Sequence, residues 1–401
     1  MPKLSFQTLA FHEREDYLEV RLLNLFLTKI SLSELGALKV KDAHTLDLSA
    51  QQEKKFPLLL SKYFCQLKNT LNGHQAIYIH QNSGIPLLGS GEFGIVYRNS
   101  SLIELKPFTS CNLNCIYCSV GEGRDSKKID FVVEKDYLVN ELQKLLDFVN
   151  EPVEVHIGVQ GEPLLYADVV PLIADLQKNK KITFISMDTN FTLATPQLLD
   201  EFSKFSKLRL NISLDALDEK LAAELSGGAY NLKHILEMIK LAVKKGIRVL
   251  IAPVLVPGYN EEEMEKIVQF VKELDQKDKK NHPLIGIQNF LNYKTGRNPA
   301  KAWTWEKFNQ FIQELEEKTK IKLRLNEKDF GIHPVKELPK PLVIDEIVKA
   351  VIKAPDRFPR SCLAVAKERT ISVPECEFRM NKEIKVKITR DKHNIFAGKV
   401  V

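Results

Sequence analysis

The chain has 401 residues, of which 44% are hydrophobic and 27% are charged, and its formal net charge is +6 at pH 7. This is an ordinary composition for a globular protein, and the length predicts two or three domains. Only six residues are cysteine, which excludes a disulfide scaffold and fits a reducing compartment. We find no secretion signal and no apolar run long enough to cross a membrane, so a cytoplasmic protein is expected.

Residues 1–100 are predicted to form an N-terminal α+β accessory region. Dense apolar residues at 17–30 and 51–71 indicate two helices, and residues 76–79 indicate a short strand. Cys65 is expected to be a small buried side chain on the apolar face of the second helix.

The segment from residue 101 to 330 is predicted to form the central α/β domain, because strands and helices alternate along it. This pattern predicts right-handed crossovers and a parallel sheet, with ligands at the carboxyl ends of the strands. Periodicity leaves open whether the sheet closes into a partial barrel. The predicted strands are 102–105, 153–159, 182–187, 209–213, 249–256 and 285–290. The predicted helices are 134–150, 169–179, 196–205, 218–223, 232–245 and 261–274, with a terminal helix and short strand in 303–325.

Residues 341–401 are predicted to form a small C-terminal β-barrel with a basic outer face. Five short runs resemble strands, and the first fits a helix equally well; the runs are 343–352, 362–366, 370–373, 383–388 and 395–401. The segment holds 13 Lys and Arg against 8 Asp and Glu. A basic module indicates a polyanionic partner, and the alternative is an ordinary lysine-rich surface.

Three cysteines, Cys111, Cys115 and Cys118, follow the first core strand within eight positions. Thiolates at this spacing can hold an iron–sulfur cube by three of its irons, which leaves the fourth iron open to a small molecule. Structural zinc is the alternative, but it needs four ligands, and no second close pair follows.

Short motifs stand at the ends of the next four core strands. Glu162 in a Gly-Glu-Pro segment suits an ammonium group, and Ser213 with Asp215 suits ribose hydroxyls. Asn190 follows the third strand, and Val254 begins an apolar end that suits an adenine edge. A turn or a helix N-cap is the alternative for each segment taken alone.

These motifs resemble the radical S-adenosylmethionine superfamily over residues 101–320. The resemblance implies a partial (β/α)6 barrel similar to that of triosephosphate isomerase. It also implies a [4Fe–4S] cluster on Cys111, Cys115 and Cys118, whose open iron is chelated by S-adenosylmethionine. An electron donor such as ferredoxin or flavodoxin would reduce the cluster, and cleavage of the cofactor would give a 5′-deoxyadenosyl radical. The implied cofactor contacts are Tyr117, Gly161, Glu162, Pro163, Asn190, Ser213, Asp215, Val254 and Leu255.

Two further resemblances concern the group within this superfamily and the C-terminal barrel. Residues 84–87, the cysteine loop and residues 329–333 are similar to an archaeal group of iron–sulfur oxidoreductases of unassigned activity. The C-terminal segment, especially 385–390 and 397–401, is similar to TRAM, a small RNA-binding barrel that accompanies radical methylthiotransferases acting on tRNA. Those enzymes need three further N-terminal cysteines, whereas residues 1–100 contain only Cys65.

Other residues carry open alternatives. Cys362 and Cys376 are expected in the barrel core, or else in a second cluster with His393 or Cys65, or in methyl transfer. His333 is expected to be structural, or else to face the mouth of the site. Five basic residues are candidates for substrate contact, with a solvated surface as the alternative: Lys294, Arg297, Lys385, Lys387 and Arg390.

The leading hypothesis is a radical enzyme that modifies RNA, most of all tRNA. The second is a radical maturase of a protein, peptide or small metabolite, with the C-terminal barrel as a docking module. The third is a cluster protein for electron transfer or sensing, which would leave the four strand-end motifs without a role.

Overall fold

The computed structural model describes residues 3–36, 38–158, 160–274 and 283–401. Val159, at the end of the predicted strand 153–159, lies outside these residues. No helix in the described part of the chain is long and apolar enough to span a membrane.

The N-terminal region consists of two small antiparallel sheets around one long helix. One sheet has the order β1-β6-β5 and the other β2-β3-β4-β7. Its elements are β1 (Lys3–Ser5), β2 (Leu9–Glu13), β3 (Tyr17–Leu22), β4 (Phe26–Ser31), α1 (Leu32–Leu35), β5 (Lys39–Asp42), β6 (Thr45–Asp47), α2 (Ala50–Phe64), β7 (Lys68–Asn69) and β8 (Ala76–Ile79).

The predicted helix at 17–30 is wrong, because the segment folds as the β3–β4 hairpin. Leu23 and Asn24 have φ angles of 51° and 60°, so the chain reverses through left-handed residues that a helix does not contain. The predicted helix at 51–71 is confirmed as α2 but ends at Phe64. Cys65 caps it and is exposed rather than buried, because it falls one residue beyond the apolar stripe.

The central domain confirms the predicted alternation of strands and helices. Strands β10, β12, β13, β14 and β15 pair in parallel, and β9 closes one edge in antiparallel orientation. Its strands are β9 (Gly94–Tyr97), β10 (Leu102–Lys106), β11 (Asp130–Val133), β12 (Val153–Ile157), β13 (Ile182–Thr189), β14 (Leu208–Ile212), β15 (Arg248–Ile251), β16 (Val254–Leu255) and β17 (Gln288–Asn289). At the other edge, Ile251 bridges to Ile285 in parallel, which brings the sixth strand position beside β15.

The helices contribute their apolar faces to the same buried core as this sheet. They are α3 (Lys135–Val149), α4 (Val169–Lys178), α5 (Pro196–Phe202), α6 (Glu219–Ser226), α7 (Leu232–Lys244), α8 (Glu261–Glu273) and α9 (Trp305–Thr319). The short strand predicted after the last helix does not form within residues 320–325.

The C-terminal segment is a closed five-stranded barrel, as predicted, in the order β18-β19-β20-β22-β21. Its strands are β18 (Ile347–Pro355), β19 (Ser361–Ala366), β20 (Arg369–Pro374), β21 (Glu383–Arg390) and β22 (Phe396–Val400). The barrel has its own buried core, but Ala354 and Leu363 pack into the core of the rest of the chain. The barrel is therefore joined to the central domain by apolar contact as well as by the chain.

Candidate functional site

The three clustered cysteines lie in the loop that follows β10, at the carboxyl end of the sheet. Backbone N–H groups of Asn114 and Ile116 donate to the carbonyls of Ser226 and Leu225, each at 3.0 Å. The end of α6 therefore holds one side of the loop in place.

Two glycines allow this loop to pack closely against its neighbours. A Cβ on Gly161 would lie 2.5 Å from the carbonyl oxygen of Ser110, and a Cβ on Gly227 would lie 2.1 Å from that of Asn114. Both glycines also have φ near +69°, a conformation that costs other residues strain. Glycine is thus required on both sides of the cysteine loop.

Zinc and an iron–sulfur cube require different arrangements of the cysteine thiols. Burial raises the pKa of Cys111 to about 12, so a cationic partner is needed to make it a thiolate near neutral pH. Among the described residues, no three His, Cys, Asp or Glu side chains stand close enough to bind a single metal ion. In an iron–sulfur cube each thiolate takes its own iron, so the ligands stand further apart than those of one zinc.

Glu162 is buried, and its carboxylate is bonded to the ends of neighbouring segments. It accepts hydrogen bonds from Thr189 Oγ1 at 2.6 Å, from the N–H of Asn190 at 2.7 Å and from the N–H of Leu164 at 3.0 Å. Loss of solvation on burial still raises the pKa of Glu162 to about 7. The carboxylate therefore fixes the β12 and β13 ends against each other at the wall of the cavity.

Asn190 lies between Glu162 and the cysteine loop. Its side-chain amide lies 3.9 Å from the Sγ of Cys111 and donates to Asn112 Oδ1 at 2.9 Å. A polar N–H group beside a ligand sulfur is one of the features that sets the reduction potential of a cluster.

Tyr117 and Asp215 link the cysteine loop to the next strand ends. The hydroxyl of Tyr117 donates to Asp215 Oδ2, and Asp215 Oδ1 accepts from the N–H of Val254 at 2.8 Å. Burial raises the pKa of Asp215 to about 6. Leu255, the next residue along, is fully buried and does not reach the cavity wall.

All three cysteines open into one cavity of about 300 Å³. Most of the predicted cofactor contacts line it, including Glu162, Asn190, Ser213 and Asp215, and the remaining wall includes Tyr230 and Tyr293. Pro163 is buried behind this wall. The structure thus brings the separate strand-end motifs together around the cysteine loop.

The basic loop after the sixth strand position packs on the cysteine loop. The Arg297 guanidinium donates to the carbonyl of Cys115 at 3.0 Å, and its backbone N–H donates to that of Cys118 at 2.9 Å. Lys294 is exposed to solvent. Arg297 therefore supports the cysteine loop, and this contact had no signal in the sequence.

The basic residues predicted on the C-terminal barrel lie on its surface. Lys385 and Arg390 are exposed along β21, whereas Lys387 is partly covered and its Nζ lies 2.8 Å from Asp345 Oδ1. The alternation of buried Val386 and Ile388 with these residues confirms the predicted one-sided strand.

His333 is distant from the cysteine loop. It lines a second cavity of about 360 Å³ with Val153, Thr183 and Arg209, which lie at the amino ends of the strands. Its imidazole Nδ1 bonds the carbonyl of Gly331 at 3.0 Å. The structural interpretation of His333 is therefore supported.

The space between the two cavities is polar. His156 Nε2 lies 3.1 Å from Asp188 Oδ2, and His156 Nδ1 lies 2.9 Å from Ser186 Oγ. Ser186 in turn donates to Glu154, which pairs with Arg209 at 3.3 Å. Asp188 lines the cavity into which the three cysteines open, and Glu154 and Arg209 line the second cavity, beside His333.

Cys362 and Cys376 lie together inside the C-terminal barrel. The thiol of Cys362 donates to the carbonyl of Cys376 at 3.2 Å, and both residues are buried. Their place in the barrel core is the outcome that the sequence favoured.

Three residues near the cysteine loop were not predicted from the sequence to belong to the site: Glu122, Gln160 and Arg357. Glu122 lines the cavity and is bonded by Gln160 Nε2 at 2.7 Å and by the guanidinium of Arg357. Glu122 sits between two glycines after Cys118, which was a usable signal, but nothing in the sequence marks Arg357.

Comparison with known proteins agrees with this geometry. The family model described as the radical SAM superfamily matches residues 105–271. An uncharacterized protein of Methanocaldococcus jannaschii is 38% identical over 360 residues, which is 84% of this chain and 83% of the relative.

Two further likenesses are partial. GTP 3′,8-cyclase of Listeria welshimeri is 29% identical over 186 residues, and the match spans 46% of this chain and 53% of the cyclase. The crystal structure of Streptococcus suis SuiB superposes with a TM-score of 0.44 and 15% identity, covering 80% of this chain and 71% of SuiB.

Proposed function

This chain belongs to the radical S-adenosylmethionine superfamily, and we propose that it uses this chemistry to modify RNA, with tRNA as the preferred class. It is an enzyme whose cofactors are a [4Fe–4S] cluster and S-adenosylmethionine. Together these cofactors supply a 5′-deoxyadenosyl radical, and the protein supplies binding, orientation and exclusion of water.

The residues around the cavity fit these cofactors. We assign Cys111, Cys115 and Cys118 as cluster ligands, because they are the thiols that open into the cavity. Glu162 and Asp215 would then hold the amino and ribose groups of S-adenosylmethionine through their carboxylates. A ferredoxin or flavodoxin is the proposed electron donor.

The observation that carries the RNA proposal is the contact between a loop of the basic barrel and the wall of the cavity. Lys128 Nζ bonds the carbonyl of Val120 in the cavity wall, and the same Nζ lies 5.4 Å from the ring centre of Phe358 in the barrel. Phe358 is 44% exposed, and Arg360 beside it is exposed. An aromatic ring with neighbouring cations is the usual platform for an unpaired base.

The basic strand β21 adds charge for a phosphate backbone. Lys385 and Arg390 are exposed, and their positive charge is part of the surplus over residues 341–401. Lysine and arginine contacts to phosphates give affinity that falls as salt concentration rises. Lys385 pairs with Lys349 and Lys387 with Ile347, so β21 runs away from the loop that holds Phe358, and its charges would bind the RNA backbone at a distance from the base on Phe358.

Point substitutions test this proposal better than removal of the barrel, because Arg357 of the barrel is bonded to Glu122 in the cavity wall. We expect Lys385→Ala with Arg390→Ala to weaken tRNA binding several-fold and to flatten its salt dependence by about one unit per lost phosphate contact. Phe358→Ala should cost about 1–3 kcal/mol of binding to single-stranded RNA. Fluorescence anisotropy measures both.

Matched controls are Lys54→Ala on α2 and Trp305→Ala on α9, both exposed and outside the barrel. Equal losses in the controls, or no RNA binding by the unaltered protein, would overturn the proposal. Anaerobic incubation with cellular RNA, followed by nucleoside mass spectrometry, should then reveal the altered nucleoside. A change found only in peptides would favour the maturase hypothesis instead.

A further inference from the structure

One arginine of the C-terminal barrel reaches the cysteine loop. Arg357 lies in the loop between β18 and β19 and is 1% exposed, which makes it one of the largest fully buried side chains of the described chain. Its guanidinium extends out of the barrel and into the central domain.

The partners of this guanidinium lie on both sides of the three cysteines. Nη1 donates to Thr109 Oγ1 at 2.7 Å, two residues before Cys111, and also to the carbonyl of Ile129. Nη2 donates to Glu122, four residues after Cys118. One planar group thus bonds the segment that enters the cysteine loop and the segment that leaves it.

The same contacts extend to the part of the cavity wall that would bind S-adenosylmethionine. Gln160 Nε2 donates to Glu122 Oε1 at 2.7 Å, and Gln160 immediately precedes Gly161. The backbone N–H of Glu162 donates to the carbonyl of Ser110 at 2.8 Å. Movement of Glu122 would therefore displace the loop that carries Glu162.

Charge around the guanidinium is predominantly negative. Asp130 Oδ1 lies 3.6 Å from Nη1, and Glu92 Oε2 lies 3.7 Å from Nε. Lys128 is the other cation beside Glu122, with its Nζ 3.8 Å away. Without Arg357 the buried carboxylates beside the cysteine loop would share fewer cations, and buried carboxylates without a partner are costly.

We propose that Arg357 is a positioning residue of the cluster site, through which the C-terminal barrel sets the shape and the charge of the cysteine loop. The reduction potential of a cluster depends on nearby charge and on hydrogen bonding around its ligands. Arg357 therefore makes the barrel part of the redox machinery, in addition to any role in binding substrate.

The test compares Arg357→Gln with Arg209→Gln. Arg209 is also a buried arginine paired with a buried carboxylate, Glu154, but it lies at the opposite ends of the strands. Loss of either arginine should lower the melting temperature of the apoprotein. After anaerobic reconstitution, an EPR-monitored redox titration at alkaline pH should show a more negative cluster potential for Arg357→Gln only.

Two more variants separate charge from hydrogen bonding. Glu122→Gln should move the potential in the positive direction, and Arg357→Lys should keep it near that of the unaltered protein while retaining less iron. If Arg357→Gln does not fold, the positive shift expected of Glu122→Gln and the unchanged potential expected of Arg357→Lys still test the proposal. An unchanged potential in Glu122→Gln, or equal shifts in Arg357→Gln and Arg209→Gln, would overturn the proposal.

Discussion

The hydroxyl of Tyr117 donates a hydrogen bond to the carboxylate of Asp215, and this contact joins the cysteine loop to the end of β14. The two residues are 98 positions apart in the chain. Because Asp215 also accepts from the N–H of Val254, three loops at the carboxyl end of the sheet share one carboxylate. The wall of the cavity is therefore held together by the polar residues that are proposed to bind its cofactor.

Tyr117→Phe should loosen the cysteine loop without removing a ligand. A lost hydrogen bond to a buried carboxylate is worth about 1.5–3 kcal/mol. We expect a lower melting temperature for the apoprotein, and a weaker affinity for S-adenosylmethionine at an unchanged iron content. Isothermal calorimetry and iron assay measure the last two, and Tyr137→Phe on α3, which loses a bond to the carbonyl of Ile85, is the control.

Gly161→Ala should disrupt the cluster site beyond its cost in backbone strain. The added Cβ would meet the carbonyl of Ser110, so the segment before Cys111 must shift. Gly246→Ala is the matched control, since Gly246 has φ +80° with no atom within 4 Å of the added Cβ. The control should cost about 1–2 kcal/mol in unfolding free energy. Only Gly161→Ala should also lose iron and cluster absorbance, and equal iron in both would contradict this.

Arg297→Ala should weaken cluster retention, because Arg297 bonds the carbonyls of Cys115 and Cys118. Lys294→Ala, three residues earlier and exposed, is the control and should retain its iron. The measurement is the rate of iron loss to a chelator under anaerobic conditions. Loss of substrate binding in Arg297→Ala with unchanged iron retention would instead support its assignment as a substrate contact.

The stability of the apoprotein should depend on the protonation of Glu162. Burial raises its pKa from the usual 4.5 to about 7. A carboxyl group whose pKa is higher in the folded protein stabilises the fold while protonated, and that contribution is lost as pH rises from about 4.5 through about 7. The difference corresponds to about 3 kcal/mol.

Thermal melting of the apoprotein at pH 5 and pH 8 measures this effect. Glu162→Gln should show a smaller drop between the two pH values than the unaltered protein, whereas Glu237→Gln, at an exposed position on α7, should show the same drop. Identical drops in all three proteins would mean that Glu162 stays ionised throughout.

Cysteine substitutions should divide into two classes. Replacing Cys111, Cys115 or Cys118 by alanine should abolish the cluster absorbance and the formation of 5′-deoxyadenosine. Cys362→Ala and Cys376→Ala should keep the iron content unchanged and destabilise only the C-terminal barrel, because their side chains are buried in its core. Iron assay and circular dichroism distinguish the classes, and a loss of iron in Cys362→Ala at an unchanged melting temperature would reveal a second cluster.

The sequence was sufficient for the parts of the molecule whose signal is local. The alternation of strands and helices and the residues at successive strand ends were predicted from periodicity and short motifs, and parallel pairing then brings those ends together. The helix predicted for residues 17–30 was wrong because their apolar residues are so dense that a helix and a buried hairpin fit the pattern equally well. The turn at Leu23 and Asn24 decides between them.

Long-range polar contacts could not be predicted from the sequence, for a different reason. Arg357 and Glu122 are separated by 235 positions, and Arg357 looks like an ordinary charged surface residue in its own segment. Their pairing follows from how the barrel docks on the central domain, which depends on shape and not on any local pattern. The same holds for the contacts of Arg297 with the carbonyls of Cys115 and Cys118.

The arginine that crosses from barrel to central domain limits how this enzyme can diverge. A descendant that loses Arg357 alone keeps the buried Glu122, and one that loses Glu122 alone keeps a buried cation, so we expect the two positions to covary among related chains. Asn69 of the N-terminal region donates to Asp130 at 2.7 Å and to Ser110 at 2.9 Å. The N-terminal region therefore also contacts the segments on either side of the cysteine loop. Residues 105–271 thus do not form the cysteine-loop site without contacts from both flanking regions, so we expect these regions to be inherited together with the segment.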